Sequence, residues 1–140
     1  MHQVVYASAA VQAFSEVQLV QLLARARINN ERLGVTGLLL YDEGSFLQVL
    51  EGDAKVIELL YETIARDKRH QRVIALLSRE VPERHFAKWR MGFAAMNASS
   101  KKMPGYTEYW QARAEPAAAS AASRLLESFR DGRFHSFVAT

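Results

Sequence analysis

Residues 46–50, Phe-Leu-Gln-Val-Leu, constrain this chain more than any other stretch. As a strand they place Phe46, Gln48 and Leu50 on one face and Leu47 and Val49 on the other. Both faces are mainly apolar, so the sheet that holds this strand has to be covered on both sides. The rest of the chain must supply the neighbouring strands and two covering layers.

The flanking patterns supply both. Residues 3–8, Gln-Val-Val-Tyr-Ala-Ser, read as a first strand, followed by a loop over 9–14. Ser15 stands three residues before Gln18, a capping box that opens a helix. Val17, Val20, Ala24 and Ile28 recur at helical spacing beside Leu19, Leu22 and Leu23, which predicts a helix to about Asn29. Residues 35–41 form a second strand, Asp42-Glu43-Gly44 a turn, and 46–50 the third strand, together a hairpin. Asp53 is placed to cap a second helix that carries Val56, Ile57, Leu60, Tyr61 and Ile64 and ends near 67–70. Residues 73–81 read as a fourth strand closed by Pro82, and 89–94 as a fifth. The order βαββαββ predicts a ferredoxin-like α+β core: a mixed five-stranded sheet with two helices on one face.

After Asn97 the character changes. A polar loop over 98–104 precedes helical segments over 106–113 and 116–130, the last with Leu125, Leu126 and Phe129 as its apolar face. These C-terminal helices are the expected cover for the second face. The chain thus divides into a core over 1–97 and a helical extension over 98–140, with no separate output domain. Its 140 residues suffice to bury a core without staples. The absence of cysteine excludes disulfides, zinc–thiolate sites and Cys nucleophiles, and fits a cytoplasmic location. No signal-peptide pattern or membrane-length apolar window is present, so no membrane partner is expected. The net charge is only +3, and Arg66, Lys68, Arg69 and Arg72 surround Asp67 near a helix end, where cations complement the dipole. Nucleic acid is therefore not an expected partner.

Gln48 is the residue that needs an explanation. A buried amide left unpaired costs roughly 1–3 kcal/mol, and Gln carries both a donor and an acceptor. It is able to bridge a phenol and a heteroaromatic ligand. Tyr6, which shares a face with Val4 and Ser8, is the natural phenol, although alternation alone favours a core tyrosine bonded to a carbonyl, with Gln48 a core oddity. Asn29 and Asn30 serve either as helix-terminating residues or as amides for a ligand edge, and the first is the simpler account. Trp89, Met91 and Phe93 alternate on one face of the last strand and read as core. His70, Arg69 and Asp67 close the second helix as a dipole-matched end. His2, His85 and His135 have no carboxylates at ligand spacing, so no metal is expected. There is no GxGxxG and no P-loop, so a nucleotide-type cofactor would bind without the usual phosphate cradles.

Four stretches, taken together, resemble the BLUF family of flavin-binding blue-light photoreceptors. They are Val5-Tyr6-Ala7-Ser8; Asn29-Asn30 with Val35-Thr36-Gly37-Leu38-Leu39-Leu40-Tyr41; Gly44-Ser45-Phe46-Leu47-Gln48-Val49-Leu50-Glu51-Gly52; and Asp67-Lys68-Arg69-His70 with Phe86-Ala87-Lys88-Trp89-Arg90-Met91-Gly92-Phe93. They follow the family's order and spacing over residues 3 to about 97.

The resemblance implies FAD as cofactor, with its ring between the two helices. Tyr6 then matches the photochemical tyrosine and Gln48 the amide between it and the ring. Asn30 matches the residue bonding the ring edge, with Asn29 beside it. Trp89 and Met91 match the last-strand pair near the Gln. Arg32, Asp67, Arg69 and His70 fall where the ring, ribityl chain or phosphates are contacted, and Leu22 and Ile64 where apolar side chains sandwich the ring. The third and fifth strands are expected to flank the first. Arg90 departs from the family's usual Ser and faces the C-terminal helices by alternation. The implied function is light-driven electron and proton transfer from Tyr6 through Gln48, without substrate turnover, signalled to an unidentified downstream protein. The alanine-rich tail and the sheet edges allow a homodimer. Two rival readings use the same residues: a cofactor-free interaction module, and a flavin enzyme with turnover in the dark.

Overall fold

The computed structural model describes residues 1–12, 14–42, 44–87, 91–94, 106–107 and 121–131. Local signals account for most of its elements. Strand β1 spans His2–Ala10 and helix α1 Glu16–Leu33. The Ser15 hydroxyl accepts from the Gln18 amide, and the Gln18 side chain accepts from the Ser15 N–H, at 3.1 and 2.9 Å. This reciprocal cap satisfies two donors at the helix start. The helix runs four residues past the expected end at Asn29, because Gly34, at φ 69°, forms the left-handed cap. Asn29 and Asn30 therefore lie inside α1 and do not terminate it.

The buried stripe of α1 also differs from the expected one. Leu19, Leu23 and Asn30 are buried, while Val17 and Ile28 are 65% and 70% exposed. Two apolar stripes overlap on this helix, and sequence spacing alone does not say which one meets the sheet.

Strands β2 (Thr36–Asp42) and β3 (Ser45–Gly52) form the expected hairpin, with Thr36 opposite Glu51 and Asp42 opposite Ser45. Gly37 is required there: a Cβ on it would run into the backbone carbonyl of Val49. Helix α2 covers Ala54–Arg66, capped at its start by Asp53 and at its end by Asp67. Strand β4, His70–Glu80, begins three residues earlier than expected, so His70 opens a strand and does not close the helix.

Among the described residues, six strands form one sheet in the order β4-β1-β3-β2-β5-β6, where β5 is Gly92–Ala94 and β6 Tyr106–Thr107. The four long strands are antiparallel, the ferredoxin-like α+β arrangement. Two expectations fail here. The sheet has six strands where five were expected, because Tyr106–Thr107 pairs in parallel with β5 and is not helical. The first strand is flanked by β3 and β4; β5 instead pairs in parallel with β2.

The cause lies in the connection after β4. The Glu51 carboxylate, fully buried, accepts from the His85 and Phe86 backbone N–H groups at 2.9 and 2.7 Å and from the Gln3 amide at 2.8 Å. Arg84 donates to Thr36 Oγ1 and to the Glu51 and Gly34 carbonyls. These bonds hold 84–86 at the ends of β2 and β3 and deliver the chain to the β2 edge. The long strand β4 takes the free edge of β1.

Each face of the sheet carries an apolar cluster. Val4, Tyr6, Leu39, Phe46, Leu50 and Met91 pack with α1 and α2 residues including Leu19, Leu23 and Ile57. Val5, Ala7, Leu38, Leu40, Leu47 and Val49 pack with Phe86 and with Ala122, Leu126 and Phe129 of helix α3, Ala121–Arg130. The expected helical residues 108–113 and 116–120 lie outside the described residues.

Candidate cofactor site

Tyr6 and Gln48 sit directly opposite each other on β1 and β3 and point into the layer beneath α1 and α2. The Tyr6 hydroxyl donates to Gln48 Oε1. Gln48 Nε2 donates to Met91 Sδ at 3.1 Å. A thioether accepts and has no proton to give, so the amide must turn its NH₂ to the sulfur and its oxygen to the phenol. Burial above all, then the Tyr61 and Asp67 groups, pushes the Tyr6 phenol above its ordinary value and keeps it a donor. The Tyr61 ring meets Tyr6 edge-on, with centroids 5.7 Å apart.

These groups form the floor of a cavity of about 160 Å³ between α1 and α2. Leu22 and Leu23 from α1 and Leu60 and Ile64 from α2 give it aliphatic walls. Asn29 and Asn30 enter from α1, the first exposed and the second 3% exposed. Asp67, Arg69 and His70 also line the cavity. Asp67 accepts from Arg69 Nε at 3.0 Å and from its terminal nitrogen at 2.7 Å, so the guanidinium holds the carboxyl down at about 2. His70 hydrogen-bonds Ser8 Oγ at 3.3 Å and packs on Phe46 at 4.9 Å. Burial lowers its pKa and favours the neutral ring.

A wider groove of about 360 Å³ adjoins the cavity. It shares Leu22, Arg25 and Arg69 and adds Lys68. The two spaces together fit a flavin. The aliphatic slot suits a flat ring, and the Gln48, Asn29 and Asn30 amides each offer a donor and an acceptor to its edges. The three cations at the outer end suit phosphate. Among the described residues no cluster of His, Cys, Asp or Glu could hold a metal, and no helix is long and apolar enough to cross a membrane.

Most of the sequence-predicted residues meet here: Tyr6, Gln48, Met91, Leu22, Asn29, Asn30, Ile64, Asp67, Arg69 and His70. Arg32 does not; it is exposed and outside the lining. Trp89 and Arg90 lie outside the described residues. Sequence reasoning missed Arg25, Thr63 and Tyr61. A helical signal for two of them existed: Arg25 falls between Leu22 and Asn29, and Thr63 between Leu60 and Asp67, at three- and four-residue steps.

The family model described as "BLUF: Sensors of blue-light using FAD" matches residues 1–92. The Euglena gracilis photoactivated adenylate cyclase subunit alpha is 38% identical over 79 residues, 56% of this chain and 8% of that protein. The chain thus spans under a tenth of that relative. The dark-state structure of the BLUF protein BlrB is 33% identical, with TM-score 0.63 over 66% of this chain and 70% of that one. A bacterial light-regulated adenylyl cyclase structure is 26% identical, with TM-score 0.68 over 94% of this chain and 34% of that one.

Proposed function

The chain belongs to the BLUF family of flavin-based blue-light sensors, and from that premise we propose that it reports light through a Tyr6–Gln48–Met91 relay at the cavity floor. The observation that carries this reading is the position of Gln48, whose amide bonds the Tyr6 phenol on one side and the Met91 sulfur on the other.

FAD is the proposed cofactor. When bound, the flavin supplies blue-light absorption and an electron-accepting ring. Asn29, Asn30 and Gln48 bond the ring edges, and Leu22 and Ile64 confine its faces. His70, Asp67 and Arg69 orient the chain that leads outward. Arg25, Lys68 and Arg69 in the adjoining groove suit the diphosphate, which favours FAD over a mononucleotide. Arg32 is given no role.

Tyr6 is the electron and proton donor. Its proton already lies on the bond to Gln48 Oε1, so transfer needs no rearrangement of the donor. Gln48 then changes its hydrogen bonding by rotation or tautomerisation. A rotated amide presents its oxygen to the Met91 sulfur, which cannot donate, and this loss favours return to the resting arrangement in the dark. No substrate turnover is proposed. The 98–140 extension is the proposed route of the signal from the 1–97 core to a separate protein partner; homodimerisation is compatible with this.

Absorption spectra in the dark, after blue illumination and during recovery test the reading. A flavin band that moves reversibly to the red without bleaching is expected. Tyr6→Phe and Gln48→Leu should retain flavin and lose the shift; a normal photocycle in either refutes the assigned roles. A folded protein that takes up no flavin would instead favour the interaction-module reading.

A further inference from the structure

Met91 is the one member of the relay that does not sit within a long strand. Its side chain has three rotatable bonds and is intrinsically adaptable. It precedes the short strand β5, which pairs with β2 through Gly92–Leu38 and Phe93–Leu39 and with β6 through Phe93–Tyr106 and Ala94–Thr107. Among the described residues, the preceding hydrogen-bonded anchor is Glu51 with 85 and 86. Yet Met91 is 1% exposed and its sulfur meets Gln48 at hydrogen-bond distance.

At Met91 itself a side chain from α1 intervenes. Arg27 Nε donates to the Met91 carbonyl at 3.0 Å. A bond from a guanidinium to a carbonyl is charge-assisted and directional. Arg27 is half-buried and lies outside the cavity lining, so it does not belong to the cofactor site. It joins a continuous chain: phenol, amide, thioether, backbone carbonyl, guanidinium.

We infer that Arg27 is a positioning residue of the relay: by holding the Met91 carbonyl it sets where the Met91 sulfur stands against the Gln48 amide, and thereby how fast a rearranged amide returns. The inference rests on the proposed light-sensing role only for its kinetic consequence; the positioning itself is a property of the dark protein. The coupling is reciprocal. If loss of the Gln48–sulfur bond lets Met91 move, the Arg27 contact feels it and α1 receives the signal.

The test is a double-mutant cycle of Arg27→Gln and Met91→Leu in the flavin-loaded full chain, with Arg27→Lys as the conservative variant. Two quantities are read: the dark NMR shift of the Gln48 side-chain amide, assigned with Gln48→Leu, and the dark recovery rate after a blue pulse. Arg27→Gln should move the Gln48 amide resonance and change recovery about threefold or more, with flavin content unchanged, an effect within the range of contacting pairs. Arg27→Lys should fall between wild type and Arg27→Gln. In the Met91→Leu background, Arg27→Gln should move neither quantity further, because the thioether link is gone. Equal effects in both backgrounds would mark Arg27 as merely structural and overturn the inference, as would an unmoved amide in Arg27→Gln. If the wild type shows no light-induced shift, the proposed function fails, while the dark amide resonance still decides the inference.

Discussion

Replacing Glu51 by Gln removes half of a buried acceptor pair. In the native protein Glu51 Oε2 accepts from Gln3 Nε2 and the His85 N–H, and Oε1 accepts from the Phe86 N–H. A glutamine oriented to keep its oxygen at the Oε2 position retains two of these bonds. Its NH₂ then faces the Phe86 N–H, donor against donor. The Phe86 N–H and the new NH₂ are then both buried donors without an acceptor, each costing roughly 1–3 kcal/mol, and the surviving bonds lose their charge assistance. At about 3–4 °C per kcal/mol for a chain of this size, a midpoint drop of about 6–24 °C follows. Glu51→Leu orphans all three donors, about 3–9 kcal/mol if the terms added, against a typical total stability of about 5–15 kcal/mol. That variant should be largely unfolded or close to it. Thermal and urea unfolding of wild type, Glu51→Gln and Glu51→Leu measure the series. The order wild type, Gln, Leu is the prediction, and a Gln variant within about 0.5 kcal/mol of wild type, the spread of an ordinary surface substitution, would refute the account. Glu51 does not line the cavity, so a folded Gln variant should still take up flavin.

Two other perturbations follow from the same geometry. Gly37→Ala drives a Cβ into the Val49 carbonyl, one residue from Gln48; it should destabilise by at least about 1–3 kcal/mol and shift the flavin band, and a wild-type melting curve with an unchanged spectrum would contradict the close approach. Asp67, whose pKa Arg69 depresses from 3.8 to about 2, contributes stability that is full above its ordinary value and lost as pH falls toward 2. The midpoint difference between wild type and Asp67→Asn should therefore shrink between pH 4 and pH 2, and a difference constant across that window would show that the Arg69 pair does not perturb it.

The local grammar of the chain is largely legible. The Ser15–Gln18 capping box, the 35–50 hairpin and the apolar run of α2 all appear where their patterns put them. Strand alternation put Tyr6 beside Val4 and Ser8, and Gln48 beside Phe46 and Leu50; that the two meet came from the family resemblance, and the β1–β3 register places them opposite each other. Less legible were the features that compare one part of the chain with another. Asn29-Asn30 looked like a helix stop, but Gly34, the residue that adopts a left-handed backbone at least cost, ends α1 four residues later.

What the sequence by itself determined is the order of the elements from β1 to β4 and the alternation of side chains along each strand, because these depend on backbone propensity and periodicity within a few residues. What only the tertiary structure decided is which surfaces meet. The α1 stripe through Leu19 and Leu23 won over the one through Val17 and Ile28. The strand after Met91 went to the β2 edge and not to β1, and Met91 thereby arrived over Gln48. Those outcomes follow from bonds between residues far apart in the chain, above all the buried Glu51 carboxylate that gathers Gln3, His85 and Phe86. A buried donor left without its acceptor is costly wherever it sits, and no local pattern records where its partner will come from.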